Sequence, residues 1–161
     1  MNNTPRELVP VVQWLRAICP DGQLFSDSRE IRPDMGDAVF FAYEGDSADG
    51  RDYIAKAVGN GAKAVVFEKD GFDWNPKWDV PHLGVAGLKA CAGPVASAYY
   101  DYPAQAMFVV AVTGTNGKTS CTQWLGQSFS ALGKKTAFIG TLGVTVFVNG
   151  KGGIPEETGY T

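Results

Sequence analysis

Apolar side chains recur at helical spacing near the amino end of the chain and predict a first helix over Arg6–Ile18. Thr4 is the expected N-cap, Pro5 occupies the first helical position, and Glu7 completes a capping box. The Pro-Asp-Gly sequence at residues 20–22 cannot continue a helix, so we expect this element to end just before it.

Two apolar runs rich in β-branched and aromatic residues, Ala38–Tyr43 and Ala64–Glu68, predict buried strands. The amphipathic stretch Asp52–Asn60 between them predicts a helix. A further helix is expected over Leu88–Tyr100, which Pro94 either kinks or begins. Strand, helix and strand in close succession indicate a small α/β unit.

A second part of the chain opens with Met107–Val112, a continuous apolar run typical of a strand buried on both faces. Helix Thr119–Leu132 and strand Thr136–Ile139 complete a predicted βαβ unit, and Val144–Val148 predicts one more strand before a hairpin turn at residues 149–150. The expected fold class is α/β, with a small N-terminal α/β domain over residues 1–103 and a P-loop parallel-sheet domain that begins at 104 and runs to 161. Because one βαβ unit and a hairpin are too little for a separate parallel-sheet domain, we expect the chain to be the front part of a longer protein.

Composition and charge exclude several classes of protein function. The 161 residues include 14 Lys and Arg against 17 Asp and Glu, a net charge of −3 that gives no reason to expect a nucleic-acid partner. No apolar run approaches the roughly 20 residues of a membrane helix, and the amino terminus lacks a signal-peptide pattern, so a cytoplasmic protein is expected. The three cysteines fit reduced thiols, and His82 lies in a loop-like sequence without a nucleophile elbow, which favours a surface role.

The turn between strand Met107–Val112 and the helix after it has the composition of a phosphate-binding loop: Gly114, Thr115, Asn116, Gly117, Lys118, Thr119 and Ser120. Its glycines allow backbone N–H groups to surround phosphate oxygens, and the helix N-terminus adds partial positive charge. Lys118 is placed to bind the β- and γ-phosphates of ATP, and the Thr119 hydroxyl to ligate Mg²⁺. The strict GxxxxGK[ST] pattern is not met, because Val112 stands where its first glycine belongs.

Polar clusters lie beside the strands of the first part. Phe25–Arg29 and Pro33–Asp37 precede strand Ala38–Tyr43, and Glu44–Arg51 follows it. Hydroxyls, carboxylates and backbone amides at strand ends suit recognition of a nucleoside, its ribose and its pyrophosphate. Taken alone, the same clusters are also compatible with turns that Ser and Asp side chains cap by themselves.

Together these blocks and the loop resemble the Mur ligases of peptidoglycan synthesis, and in particular the MurE type. The residues that match the pattern of this family extend over nearly the whole chain: Asp27-Ser28-Arg29, Gly36-Asp37, Phe40, Ala42, Gly45, Asp49-Gly50, Tyr53-Ile54, Ala57, Gly61-Ala62, Ala64, Val66 and Val112–Ser120.

The resemblance implies an ATP-dependent acid–amino-acid ligase of three domains. Such an enzyme adds meso-diaminopimelate or lysine to UDP-N-acetylmuramoyl-L-alanyl-D-glutamate through an acyl phosphate, with ATP and Mg²⁺. Residues 1–103 correspond to its UDP-substrate-binding domain and 104–161 to the start of its ATP-binding domain.

The resemblance also implies residue roles. By position, Ser26 and Ser28 match contacts to the uridine end, the stretch Asp46, Ser47 and Ala48 matches a second substrate contact, and Gly114–Ser120 match the ATP loop with Lys118 as its catalytic residue. Thr161 matches the first threonine of a Thr-Thr substrate motif.

Further metal ligands, a carbamylated lysine and the amino-acid-selecting motif of the family all come later than Thr161, so the 161-residue polypeptide is expected to be inactive by itself. A monomer is expected. The sequence leaves open which amino acid is added, and two other functions: a MurF-type ligase, which adds D-alanyl-D-alanine, and a non-catalytic nucleotide-binding module.

Overall fold

The computed structural model describes residues 5–140, 143–147 and 156–157. The chain divides into two compact units, residues 1–107 and 108–161. Within the described residues, no helix combines the length and the apolar character needed to cross a membrane.

A four-stranded parallel sheet forms the centre of the first unit. Its strands are β1 (Gln23–Phe25), β2 (Ala38–Ala42), β3 (Ala64–Glu68) and β4 (His82–Val85), and they lie side by side in chain order. Every residue of β2 is buried, as is β3 up to Phe67. Continuous burial is what a strand shows when both faces of its sheet are covered, so the apolar runs in the sequence correctly predicted these two strands.

Helices cover one face of this sheet, and a helix with an aromatic loop covers the other. Helix α1 (Val9–Ile18) and helix α3 (Leu88–Tyr99) pack on the first face. A 3₁₀ turn at Gly50–Tyr53 leads into the short helix α2 (Ile54–Gly59), which packs on the second face. The loop between β3 and β4 completes that face with Phe72, Trp74 and Trp78. The prediction of an α/β fold with a parallel sheet is confirmed.

Helix α1 begins three residues later than predicted, at Val9 instead of Arg6. A helix that began at Arg6 would hold Pro10 in its interior, where the missing N–H and the ring are unfavourable, whereas Pro10 now lies in the first turn. The predicted N-cap, Thr4, lies outside the described residues, and the observed N-cap residue, Leu8, makes no side-chain cap.

The edge strands β1 and β4 are missing from the sequence prediction. Each has only three or four residues, too few to show a periodic pattern. His82 is therefore the first residue of β4, not a loop residue; its ring is exposed and stacks on Trp74 with 3.9 Å between ring centroids. Pro94 lies inside α3, so it does not mark the beginning of that helix.

The second unit contains helix α4 (Lys118–Ala131), followed by an antiparallel sheet of β5 (Thr136–Gly140), β6 (Gly143–Phe147) and β7 (Glu156–Glu157). The helix and strands β5 and β6 were predicted within a residue or two at their ends. The hairpin turn predicted at residues 149–150 lies outside the described residues.

The predicted strand Met107–Val112 is not formed, and this prediction was wrong for the chain as described. Its first residues are extensively exposed, with Phe108 at 84% and Val109 at 69%. An apolar strand of a parallel sheet needs neighbouring strands to pair with, and within the described part of this unit β5 pairs antiparallel with β6 instead. The expected βαβ unit is consequently absent from the described residues.

Candidate functional site

Polar segments of the first unit meet at one edge of its sheet. Because the four strands are parallel, their carboxyl ends lie along the same edge. Residues 26–29 follow β1 there, residues 44–51 follow β2, and the first turn of α3 follows β4. The structure thus brings the predicted positions Ser26 and Ser28 to the same edge as Asp46–Ala48.

The segment after β1 is shaped by an ion pair between Asp27 and Arg29. The Arg29 side chain donates to both carboxylate oxygens, at 2.6 Å from Nη2 and 3.0 Å from Nε, and its backbone N–H donates to Oδ1 at 2.8 Å. These hydrogen bonds hold the pKa of Asp27 below its ordinary value. Ser26 is exposed and Ser28 is buried, while Asn60 Nδ2 donates to the Ser28 carbonyl at 2.9 Å. The loop is therefore held in shape by these hydrogen bonds, with Ser26 exposed and Ser28 buried.

The segment after β2 is a closed turn that presents Asp46–Ala48 to solvent. The Gly45 N–H donates to the Ala48 carbonyl at 2.8 Å, and Glu44 forms an isolated antiparallel bridge with Asp49. A Cβ at Gly50 would lie 2.8 Å from the Tyr43 carbonyl oxygen, so only glycine permits the chain to return so close to the end of β2. All three residues at the tip are exposed.

Arg51 anchors the base of this turn. Its guanidinium pairs with Asp49 at 2.6 Å and lowers the pKa of that carboxyl by hydrogen bonding, while Nη1 donates to the Asp70 carbonyl at 2.9 Å. The same guanidinium lies 5.5 Å from the ring centre of Phe72. The side chains of Arg51 and Asp49 are only 15% and 26% exposed, so the pair is a fixed part of the turn.

Three contacts of these segments were not predicted from the sequence. Asn60 supports Ser28 as described above; Glu68, at the end of β3, accepts a hydrogen bond from the Leu88 N–H at 2.7 Å; and Lys89 Nζ lies 2.8 Å from Asp46 Oδ1. The sequence did contain one sign that Lys89 has a special role. A lysine in the first turn of a helix is unfavourable for the helix dipole, so its presence there indicates another function.

The predicted phosphate loop lies in the second unit, and residues 113–120 are exposed throughout. Gly117, with φ of +79°, precedes α4 directly, and an added Cβ there would meet no atom within 4 Å. Glycine is therefore favoured at this position by its backbone conformation alone. Gly114 also has positive φ, at +149°.

The side chains of this loop fit a phosphate group with a divalent cation. Lys118, the first residue of α4, folds back so that Nζ donates to the Gly114 carbonyl at 2.5 Å, which places its charge over the loop. Thr119 is exposed in the first turn. An accessible helix N-terminus with an amine above it and a hydroxyl beside it suits a polyphosphate. Within the described residues, no group of three or more His, Cys, Asp or Glu side chains is arranged to hold a metal by itself, and Thr161 lies outside them.

The chain is similar to a known protein family and to curated relatives. The family model "Mur ligase family, catalytic domain" matches residues 24–100. A UDP-N-acetylmuramoyl-L-alanyl-D-glutamate--2,6-diaminopimelate ligase of Janthinobacterium sp. (strain Marseille) is 54% identical over 158 residues, which cover 98% of this chain and 30% of the relative. The protein with the same name from Nitrosomonas europaea is 50% identical over 120 residues, which cover 74% of this chain and 22% of that relative.

Among solved structures, MurF from Acinetobacter baumannii is similar with a TM-score of 0.54 and 23% sequence identity, covering 76% of this chain and 28% of that one. This likeness concerns the fold alone. The sequence matches show that the chain belongs to the Mur ligase family. It spans between a fifth and a third of the length of the curated relatives it matches.

Proposed function

We propose that this chain contributes the substrate-binding and ATP-binding units of an ATP-dependent ligase of peptidoglycan precursor synthesis. The substrate would be UDP-N-acetylmuramoyl-L-alanyl-D-glutamate and the incoming amino acid meso-diaminopimelate. The names of the curated relatives at 54% and 50% identity contain this substrate and 2,6-diaminopimelate. Residues 1–103 would bind the UDP-sugar and residues 104–161 the nucleotide triphosphate. A cytoplasmic, monomeric enzyme is part of the same proposal.

One observation supports the substrate site most directly: Ser26–Ser28 and Asp46–Ala48 occupy the same edge of the parallel sheet. The sequence clusters alone were compatible with self-capped turns. In the structure, the caps are made by Asp27 and Asp49, which leaves the exposed residues Ser26 and Asp46–Ala48 available for a ligand, whereas Ser28 is buried. Open tips beside the carboxyl ends of strands are where α/β sheets bind nucleotides.

The chemistry of an amide ligase explains why the family needs the second unit. A free carboxylate is a poor electrophile, and ATP supplies the phosphoryl group that activates it. Lys118 would neutralise phosphate charge and align the triphosphate, and the Thr119 hydroxyl would ligate Mg²⁺. Both roles fit the exposed loop and the amine folded over it.

Separate titrations of the chain with UDP and with ATP test this proposal. We expect saturable binding of both, and Ser26→Ala should weaken UDP binding about three- to ten-fold, the effect of one hydrogen bond. Ser128→Ala, an exposed serine on α4, is the matched control and should leave UDP affinity unchanged. A chain that is folded but binds neither nucleotide would refute the proposed function.

Two alternatives are separated by turnover. In a protein extended to the length of its relatives, amide formation with meso-diaminopimelate supports the proposal, whereas turnover with D-alanyl-D-alanine alone would indicate the MurF-type alternative. Binding of both nucleotides without turnover in that longer protein would indicate a non-catalytic module.

A further inference from the structure

The edge of the sheet that we assign to the UDP-sugar has many negative charges. Carboxylate side chains from the segments that meet there are Asp27, Glu44, Asp46, Asp49 and Glu68. A nucleoside diphosphate is itself an anion, so this edge repels it unless a cation is available to the phosphates. The position of the cations therefore decides whether such a ligand can bind.

Two of the cations at this edge are already engaged in the architecture of the loops. Arg29 makes several hydrogen bonds to Asp27. Arg51 is bound to Asp49 and to the Asp70 carbonyl and is mostly buried. Moving either guanidinium to a phosphate would dismantle the turn it supports.

Lys69, exposed directly after β3, also lies at this edge, but the amine that contacts the turn after β2 is that of Lys89. Its amine makes one ion pair, at 2.8 Å, with Asp46, whose side chain is 98% exposed. An exposed pair of this kind contributes little to stability, so the exchange of one anion for another is inexpensive. The Asp46 carboxylate raises the pKa of Lys89, which stays protonated at neutral pH.

The topology places this amine where a diphosphate would lie. Lys89 follows β4, yet it reaches across the end of β3 to the turn that follows β2. That turn neighbours the β1 segment with Ser26 and Ser28, the expected contacts of the uridine end. Glu68 fixes the start of α3 through the Leu88 N–H, so the backbone from which Lys89 extends is held in place.

We propose that Lys89 is a diphosphate-binding residue of this site, with Asp46 as its counter-ion when no ligand is bound. This assignment rests on the proposed function. When a nucleoside diphosphate binds, the amine exchanges the Asp46 carboxylate for a phosphate oxygen, and no covalent bond changes. The first-turn position of Lys89, unfavourable for the helix dipole, is explained by this role.

Titration with UDP and with uridine tests the assignment, because only UDP has phosphates. Lys89→Gln should weaken UDP binding about ten-fold, as expected for the loss of one exposed charge-assisted hydrogen bond, and should reduce the salt dependence of UDP affinity. Uridine affinity should stay within about two-fold of the original protein, since the base and ribose contacts are intact. Lys89→Arg keeps the charge and should retain most of the UDP affinity.

The control is Lys63→Gln, which removes an exposed lysine at the opposite edge of the sheet, just before β3. It should bind UDP as the original protein does. Equal UDP affinity in Lys89→Gln would overturn the assignment, and so would a parallel loss of uridine and UDP affinity, which indicates a merely structural role. If the unsubstituted chain binds uridine but UDP no more tightly, the diphosphate role fails while the nucleoside site stands; if it binds neither, the proposed function itself fails.

Discussion

Aspartate and arginine two residues apart shape both polar loops of the first unit. In each case the aspartate accepts the backbone N–H of the arginine and pairs with its guanidinium: Asp27 with Arg29, and Asp49 with Arg51. The aspartate side chain thus closes a local turn and holds the guanidinium beside it. Asp27-Ser28-Arg29 and Asp49-Gly50 match the pattern of the family, and these hydrogen bonds give a physical reason for the residue types.

The Asp49–Arg51 pair should make stability depend on acid pH. Because Arg51 lowers the pKa of Asp49 in the folded chain below the value of about 3.9 for an unfolded aspartate, its contribution is complete above that pH and is lost as the pH falls through the lowered folded-state pKa. Asp49→Asn should lower the free energy of unfolding at pH 7 by about 1 kcal/mol and by less below pH 3. Thermal unfolding from pH 7 to pH 2 measures this, and an equal loss at every pH would contradict it.

Lys118 should be needed for triphosphate binding and dispensable for folding. Its side chain is exposed and its amine contacts only the Gly114 carbonyl among the contacts described, so Lys118→Ala removes a charge without opening a core. We expect ATP affinity to fall by at least about ten-fold, the effect of a lost charge-assisted hydrogen bond. UDP affinity and melting temperature should not change. Calorimetric titration of both nucleotides gives the comparison, and unaltered ATP affinity would remove Lys118 from the site.

At the scale of elements, α3 shows how tertiary packing overrides local preference. Pro94 lies in its interior and has no N–H to donate to the Ala90 carbonyl, yet the helix continues to Tyr99. Leu88, Val95 and Ala98 on the same helix are buried against the sheet. Burial of that face stabilises the helix by more than the proline destabilises it.

Replacing this proline should therefore stabilise the first unit. Pro94 is exposed, so Pro94→Ala restores a helical hydrogen bond without disturbing the core. We expect the free energy of unfolding to rise by about 1 kcal/mol or more, after the lower entropy of an unfolded proline is allowed for. Pro76→Ala, at an exposed loop position, is the control and should bring no gain. Urea denaturation of both variants and of the unsubstituted chain checks the prediction, which is wrong if Pro94→Ala is no more stable than the unsubstituted chain.

The two units of the molecule differ in how fully their apolar residues are buried. The first has a parallel sheet covered on both faces and a continuous apolar core on each side. In the second, the apolar residues Phe108 and Val109 and the α4 residue Trp124 are largely exposed. The sheet that would bury a strand at residues 107–112 is not present in the described part of this unit.

The first unit should bind its nucleotide without the second. A polypeptide of residues 1–107 contains both polar loops and both core clusters, so we expect it to fold cooperatively and to bind UDP with the affinity of the whole chain. Chemical denaturation and UDP titration of this polypeptide are the measurements. A loss of UDP affinity with the fold intact would mean that the site needs residues beyond 107.

We expect the 161-residue chain to have no ligase activity by itself. The segment that precedes the phosphate loop is not paired in a sheet, so the loop is not held in the fixed geometry that phosphoryl transfer requires. We expect no phosphate release above the background rate when ATP and the UDP-linked dipeptide with meso-diaminopimelate are supplied together. Phosphate release near the rate of a full-length relative would contradict this expectation.

The sequence by itself determined the features that depend on local pattern. Apolar runs such as Ala38–Tyr43 and Ala64–Glu68 predicted buried strands, because a strand covered on both faces requires such runs. The glycines, lysine and threonine of residues 114–119 predicted a phosphate loop, which stays a prediction until a nucleotide is titrated. The wider motif pattern indicated the family, which the comparisons confirmed.

Tertiary structure alone decided the rest. The short strands β1 and β4 form because a neighbouring strand pairs with each of them. The apolar run at 107–112 has no such strand beside it in the described residues, and it remains largely exposed. Likewise, only the parallel order of the sheet brings Asp46 to Lys89, 43 residues apart in sequence, at one edge. The local pattern of apolar and polar residues reflects whether each residue will be buried. Pairing between segments that are distant in the sequence depends instead on where the fold places them.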